Sequence, residues 1–192
     1  MRRVVKLGGS LLHRDDLIVR LPQWLRQIDR GFGAPVETLF VVGGGPLIEA
    51  VRTLDRAGPG DPVATHWMCV DLMETTMRLV GSWFPHWHVV SSIDEFQHGL
   101  AHGFATDGPT LVHVCSFYHQ ETDCDLPRDW RTTSDAIAAL LAIQVDADEL
   151  VLLKSCDVDP TATADQLSAD GIVDAALPMI VSNVRRLSVQ RL

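Results

Sequence analysis

Long apolar runs and an excess of positive charge are both missing from this sequence. No apolar run approaches the roughly 20 residues that a helix needs to cross a membrane, and the N-terminus has basic residues without the apolar core of a signal peptide. The 192 residues include 16 Lys and Arg against 25 Asp and Glu, a formal net charge of −9 at pH 7. Such a charge disfavours nonspecific binding to a phosphate backbone. We expect a cytoplasmic protein that binds neither membrane nor nucleic acid, although local lysines or backbone amides could still hold a small anion.

Patterns that hold a metal or form disulfides are also missing. The cysteines are widely spread and form no C-x-x-C pair, at Cys69, Cys115, Cys124 and Cys156. We therefore expect free, mostly buried thiols. His98 and His102 have helical spacing, but Gly99 and Gly103 argue against a helix there and no acid accompanies them as in H-E-x-x-H. The P-loop pattern G-x-x-x-x-G-K-[ST] does not occur, and no metal ligand is predicted.

What is present indicates a packed α/β protein. Hydrophobic residues make up 46% of the chain and charged residues 21%, which suits one sizeable domain over residues 1–192. Valine-rich apolar runs predict strands at 3–7, 38–43, 87–92, 110–115, 149–155 and 185–189. Helical spacing between several of them predicts helices at 15–31, 46–58, 66–84 and 133–147. Strands that alternate with helices favour a three-layer αβα sandwich with a mostly parallel central sheet.

The predicted helix at 66–84 is apolar on most of its faces. Such a helix is typically buried. Its apolar surface exceeds what one side of a sheet needs, so it could also form a subunit interface. We therefore expect a homo-oligomer.

Two glycine-rich turns follow predicted strands. Gly8-Gly9 ends the first strand, and Gly43-Gly44-Gly45 ends the second, where Pro46 opens a helix. Glycine lets backbone N–H groups approach a bulky group, and a turn that leads into a helix N-terminus often holds phosphate. The two turns could face one another across one crevice and share a polyphosphate. Two independent tight turns are the alternative interpretation.

Two further stretches carry polar groups beside predicted strand or helix ends. Thr132, Thr133 and Ser134 supply hydroxyls at a helix start, with Asp135 in the first turn; ordinary helix capping explains them equally well. Lys154 directly follows four apolar strand residues, with acidic residues close behind. It could contact phosphate, or it could be an ordinary lysine at the end of a strand.

Together the stretches KLGGS, VVGGG, TTSDAIAA and LLKSCDVD resemble the amino acid kinase superfamily, whose members include uridylate kinase and acetylglutamate kinase. They occur in the order typical of the family and span the chain. Among the subfamilies, the chain is most similar to the small kinases that phosphorylate aminomethylfuran-methyl phosphate in methanofuran biosynthesis. That similarity extends to HWM at 66–68, to LPRDWRTTSDAIAALLA at 126–142 and to GIVDAAL at 171–177.

The resemblance implies an ATP-dependent, Mg²⁺-assisted transfer of phosphate to a small acceptor. By similarity, Lys6 would neutralise the transferring phosphoryl group, Lys154 would act near the nucleotide phosphates, and Asp135 would orient a lysine or an Mg²⁺-bound water. Residues implied to bind the donor are Gly8, Gly9, Ser10, Ser155, Asp157 and Asp159. Residues implied to bind the acceptor or the transferring group are Gly43, Gly44, Gly45, His66, Trp67, Trp130, Arg131, Thr133 and Ser134.

One departure from the family pattern concerns the nucleotide turn. Members usually have Asp-Val-Asp-Gly there, whereas Asp159 is followed here by Pro160. Proline lacks an N–H and fixes φ, so the nucleotide contacts are expected to differ. A noncatalytic nucleotide- or oxoanion-binding protein of the same fold is therefore one alternative. A uridylate-type nucleotide kinase is a second alternative, which would need a nucleobase site for the acceptor.

Overall fold

The centre of the molecule is a parallel six-stranded sheet. The computed structural model describes residues 1–30 and 35–192. Within them the strands are β1 (Arg2–Leu7), β2 (Glu37–Val42), β3 (His88–Val90), β4 (Thr110–Val112), β5 (Glu149–Lys154) and β6 (Leu187–Arg191). Their order across the sheet is β3-β4-β2-β1-β5-β6, and all pairs are parallel. The predicted strands are confirmed, although β3 and β4 are shorter than expected.

Helices connect the strands and cover both faces of the sheet. They are α1 (Leu17–Asp29), α2 (Gly45–Ala57), α3 (Pro62–Trp83), α4 (Ile93–His102), α5 (Ser134–Gln144), α6 (Ala164–Ala169) and α7 (Leu177–Ile180). One core packs Val5 and Phe40 of the sheet against α1. The other packs Val4 and Val41 against the alanine- and leucine-rich α5. The expected three-layer αβα sandwich is confirmed.

The strand β1 lies between β2 and β5, and this position decides where the polar turns meet. Lys6 is aligned with Val41 of β2 and with Leu152 of β5. Because the three strands are parallel, their carboxyl ends open at the same edge of the sheet, where ligands of such folds gather. The segments that follow Leu7, Val42 and Lys154 are therefore neighbours.

One helix differs from the sequence-based expectation, and the end of another is not tested. The expected end of α1 at Gly31 lies outside the described residues. α3 begins at Pro62, earlier than expected, because the Asp61 carboxylate accepts a hydrogen bond from the Ala64 N–H and caps it. α3 is also not buried on most faces, since Met68 is 54% exposed. The homo-oligomer that its apolar faces suggested stays a prediction.

The doubt about a helix around Gly99 was wrong. α4 runs through that glycine, and the imidazoles of His98 and His102 stack on its surface. A Cβ at position 99 would lie 2.2 Å from the Phe104 ring. Glycine is there because the aromatic ring needs the space, and a capping box at Ser92 and Glu95 compensates for its low helix propensity.

Candidate functional site

A cavity of about 850 Å³ opens at the carboxyl ends of β1, β2 and β5. The turns after β1 and β2 continue the sheet's hydrogen bonding for one more residue, since the Gly8 N–H donates to Leu153 O and the Gly43 N–H donates to Leu7 O. Beyond these residues the chain leaves the sheet at the end of each strand, and the two turns form the floor of the cavity.

The two glycine turns face each other, but they touch directly rather than across a crevice. A Cβ on Gly9 would lie 2.2 Å from the Gly45 backbone nitrogen, and a Cβ on Gly45 would lie 2.7 Å from the Gly9 oxygen. Gly45 also has a φ of +54°, in the left-handed region that favours glycine. Both positions therefore require glycine, because the backbones meet without room for a side chain.

A buried ion cluster lies directly beside these turns. The Lys6 Nζ is 2.9 Å from Asp135 Oδ1, and the Lys154 Nζ donates to Asp135 Oδ2 at 2.7 Å. The three side chains come from β1, β5 and the first turn of α5, and all three are buried. Lys6 and Lys154 are also the only two lysines in the sequence. One carboxylate thus fixes the position of both amino groups.

The electrostatics of the cluster follow from burial and from opposite charge. Burial opposes ionisation of Asp135, but the two lysines outweigh it and lower the pKa of that carboxyl below its ordinary value. Burial and the nearby Lys6 lower the pKa of Lys154, while the carboxylates of Asp135 and Asp174 oppose that shift. The ionised form of Asp135 is therefore favoured, and both amino groups contact it in a site that water reaches poorly.

The N-terminus of α5 is capped by a residue that the sequence reasoning did not select. Thr133 occupies the cap position where the sequence predicted the helix to start, but its side chain accepts no hydrogen bond from the helix N–H groups. Instead the Asp174 Oδ2 accepts hydrogen bonds from the Ala136 N–H, the Thr133 N–H and the Thr133 hydroxyl, each at 2.9 Å. Ser134 remains at the cavity wall.

His66 lies in the opposite wall, on α3. Its Nε2 is 2.9 Å from the Tyr118 hydroxyl, and its ring is nearly perpendicular to the rings of Trp67 and Tyr118, in T-shaped contact with each. Burial lowers the pKa of His66, against a hydrogen bond to the Asp129 backbone that raises it. The imidazole is therefore held in place by protein groups, and its neutral form is favoured at neutral pH.

Beside His66, the cavity wall carries an aromatic ring and a guanidinium group. The Trp130 indole N–H donates to Asp55 Oδ2 at 2.7 Å, and the Arg52 guanidinium lies over the indole ring at 4.8 Å. Arg52 also has Glu49 at 3.8 Å. Sequence reasoning missed Arg52; its signal was the position two helical turns after Gly45, which places it on the helix that starts at the glycine turn.

The wall after β5 is built differently, from exposed loop residues. The hydroxyls of Ser10 and Ser155 are 2.9 Å apart and join the loops after β1 and β5. Asp157 accepts two hydrogen bonds from Arg191 at the end of β6. Asp159 accepts from the N–H and the hydroxyl of Thr161, a local turn around Pro160.

Most of the predicted site residues line this cavity. Those that do are Lys6, Gly8, Gly9, Ser10, Gly44, Gly45, His66, Trp130, Thr133, Ser134, Lys154, Ser155 and Asp157. Asp135 and Gly43 lie behind the lining, where Asp135 holds the lysines and a Cβ on Gly43 would lie 2.9 Å from the Ser134 hydroxyl.

Three predicted residues point elsewhere. Trp67 lines a second cavity of about 540 Å³ beside Arg128. Arg131 is paired with Asp129 at 2.7 Å and is absent from the cavity lining. The Asp159 carboxylate accepts a hydrogen bond from Thr161 within its own turn. The positions of these three side chains do not support a direct contact with a ligand in the larger cavity.

Residues 1–30 and 35–192 contain no cluster of three or more His, Cys, Asp or Glu side chains that could hold a metal ion. The four cysteines are free thiols, and the expectation that they are mostly buried was wrong, because Cys156 is exposed and the other three are half-buried. In the same described part of the chain, no helix is long and apolar enough to cross a membrane.

Comparisons with known proteins identify the family and the fold. The model of the amino acid kinase family matches residues 1–169. The uridylate kinase of Archaeoglobus fulgidus superposes with a TM-score of 0.64 at 18% identity, covering 99% of this chain and 91% of that one. The UMP kinase of Ureaplasma parvum gives 0.65 at 14% identity, covering 100% and 90%. The aspartate kinase of Synechocystis gives 0.65 at 15% identity, covering 98% and 38%.

No curated protein matches this chain in sequence. At these identities the solved structures support the fold alone.

Proposed function

Because this chain belongs to the amino acid kinase family, we propose that it is an ATP-dependent kinase that transfers the γ-phosphoryl group to a small acceptor. Family membership supports the coarser statement, a phosphotransferase of kinase type. The donor, the acceptor and the roles of individual residues are the proposal. The observation that carries it is the pair of lysines held by one carboxylate next to two glycine turns in contact.

The chemistry requires positive potential more than covalent participation. In phosphoryl transfer, negative charge spreads over three equatorial oxygens, so catalysis depends on positioning and electrostatic stabilisation. Lys6 and Lys154 supply two positive charges whose positions Asp135 fixes before a substrate arrives. Burial strengthens their attraction for a phosphoryl group, because less water screens it.

The glycine turns fit the phosphate chain of the donor. Gly9 and Gly45 bring main-chain atoms to the cavity floor with no side chain in between, an arrangement suited to hydrogen bonds from amides to phosphate oxygens. The Gly8 N–H is already donated to Leu153 O. The Ser10 and Ser155 hydroxyls lie at the adjoining wall. Mg²⁺, when bound with the donor, would supply positive charge to the phosphates in addition to that of the lysines.

The wall formed by α2, α3 and Trp130 fits the acceptor. It combines apolar side chains of Ile48, Val70 and Met73 with the Arg52 guanidinium and the Trp130 ring. A flat ring could lie against the apolar side chains while its phosphate pairs with the arginine. A monophosphate such as aminomethylfuran-methyl phosphate, which would give a diphosphate, fits this wall.

His66 is then a wall residue rather than a phosphate ligand. Its Nε2 is already bonded to Tyr118, and the lowered pKa favours the neutral imidazole, which gives no ionic attraction to an anion. We therefore assign the anionic group of the acceptor to Arg52.

Calorimetric titration of the purified protein tests the proposal. Mg-ATP is titrated alone, and then with saturating aminomethylfuran-methyl phosphate, uridine monophosphate or inorganic phosphate. Binding of ATP that strengthens with one monophosphate, followed by formation of ADP, is the expected result. Uridine monophosphate as the effective acceptor would favour the uridylate-type alternative. Binding of ATP or phosphate with no ADP formed in any mixture would favour a noncatalytic binding protein.

Two arginines on one helix provide a matched pair for the acceptor side. Arg52→Gln should raise the KM for the monophosphate by about tenfold to a hundredfold, because a charged hydrogen bond contributes about 1.5–3 kcal/mol. Arg56→Gln, one helical turn further along α2 and outside the cavity lining, should leave that KM unchanged. An equal KM in both variants would contradict the assignment of Arg52.

A further inference from the structure

The first turn of α5 depends on a residue that is distant in the sequence. Asp174 lies in the segment before α7, yet its carboxylate takes the place of a local N-cap on α5, through three hydrogen bonds to Oδ2. Its other oxygen, Oδ1, accepts from the Leu177 N–H at 2.9 Å and caps α7. One carboxylate therefore joins the starts of two helices.

The same residue also contacts the ion cluster. The Asp174 backbone N–H donates to Asp135 Oδ2 at 3.3 Å, the oxygen that accepts from Lys154. Asp135 thus has its backbone fixed through the capped turn and its carboxylate oriented by a direct hydrogen bond. Both restraints come from a residue outside the lining of the cavity.

We propose that Asp174 is a positioning residue of the kinase site, which sets the orientation of Asp135 and, through it, the amino group of Lys154. The inference rests on the proposed function for its catalytic consequence, but the geometry it describes exists without substrate. The groups around the Lys154 amino group are Lys6 from β1, Asp135 from α5 and Asp174 from the segment before α7. Burial and the neighbouring Asp135 raise the pKa of the Asp174 carboxyl, and the hydrogen bonds from Ala136 and Thr133 oppose that shift. In its ionised form Asp174 adds a second negative charge beside the two lysines.

The scarcity of lysine makes this testable by NMR. Lysine labelled with ¹³C at Cε gives two side-chain signals from this protein, because the sequence has only Lys6 and Lys154, and Lys6→Arg assigns them. Asp174→Asn removes the negative charge. It also replaces one accepting oxygen by an NH₂ group, which cannot accept the hydrogen bonds that the backbone or hydroxyl donors make to that oxygen. We expect the pKa of Lys154 to fall in the substrate-free protein, because the removed charge had favoured the ammonium form.

Kinetics of the same variant provide the second measurement. We expect kcat to fall by about a hundredfold, the scale of a small misplacement of catalytic groups, while the KM for ATP changes little. Ser92→Ala is the control, because it removes the cap of α4, whose residues do not line the cavity. It should lower the melting temperature and leave kcat and both lysine signals unchanged.

The outcomes separate this inference from the proposed function. An unchanged Lys154 titration in Asp174→Asn overturns the positioning role, whether or not the protein is a kinase. If the Lys154 titration shifts in Asp174→Asn but the wild-type protein has no kinase activity, the positioning role stands and the proposed function is overturned. Should Asp174→Asn fail to fold, Asp174→Glu keeps the charge and displaces the carboxylate from the first turn of α5 by one methylene group. A severalfold lower kcat with an unchanged Lys154 titration supports the role, and wild-type kcat overturns it.

Discussion

The two sides of the large cavity are held in place by different means. At the ends of β1 and β2, buried charges and backbone contacts fix every group: Lys6 is bound to Asp135, and Gly9 touches Gly45. After β5, the loop that carries Ser155 and Asp157 is exposed and is held by surface contacts, a serine pair and an ion pair with Arg191. Buried contacts hold the first side in place, and solvent-exposed contacts hold the second.

This difference indicates which side of the cavity tolerates substitution. Buried ion pairs cost several kcal/mol when one partner is removed, whereas exposed pairs contribute about 0–1 kcal/mol. The side that would hold the transferring phosphoryl group is therefore rigid. The loop that would contact the nucleotide can vary, and it is where Pro160 occurs.

Removal of one amino group from the rigid side should have the largest effect. In Lys6→Met we expect kcat to fall by about 10²–10³ or more, because the transition state loses a preorganised positive charge. Methionine retains the buried stem, and Asp135 keeps Lys154 as a partner, so the protein should still fold. Steady-state kinetics and a thermal melt measure the two effects. Turnover close to that of the wild type would remove Lys6 from the mechanism.

A smaller effect is expected from the contact between the glycine turns. Gly9→Ala places a methyl group 2.2 Å from the Gly45 nitrogen, and overpacking of this kind costs about 1–3 kcal/mol of unfolding free energy. Gly58→Ala is the matched control, because nothing lies within 4 Å of its Cβ position. Chemical denaturation compares the two variants. Equal stabilities would mean that the turns do not press against each other in solution.

The smallest effect is expected from chemical modification of one cysteine on each side of the cavity. Cys156 is exposed on the loop after β5, whereas burial raises the pKa of the Cys69 thiol on α3 to about 11. At neutral pH, iodoacetamide should therefore alkylate Cys156 first, because the thiolate is the reactive form. Mg-ATP should protect Cys156, and the acceptor should protect Cys69, as peptide mass spectrometry would show. Protection of Cys69 by Mg-ATP and of Cys156 by the acceptor would mean that the donor and acceptor sides are assigned the wrong way round.

The sequence predicted the features that depend on local patterns. The strands were identifiable because valine-rich runs between glycines leave few alternatives, and their order along the chain predicted a parallel sheet. The roles of Lys6, Asp135 and Lys154 were implied by the resemblance of their motifs, at strand and helix ends, to the amino acid kinase family. Parallel strands place such ends at one edge of the sheet, and the structure brings all three within a single cluster.

The sequence did not predict features that depend on distant contacts. Asp174 caps α5 from 38 residues beyond Ala136, and no local pattern marks a residue as the cap of another segment. Trp67 and His66 were selected together, but neighbouring residues on a helix point in different directions, so only His66 reached the larger cavity. The helix through Gly99 was missed because the ring that requires a glycine comes five residues later.

The insertion of β5 beside β1 has a consequence for folding. Residues 2–112 contain β1 to β4, and until residues 149–154 are synthesised one edge of β1 has no partner strand. Non-local strand pairing of this kind slows folding, because chain entropy is lost before the contact forms. The central strand of the finished sheet is an edge strand during synthesis, so a nascent chain stopped before β5 should require chaperones to keep it from aggregating.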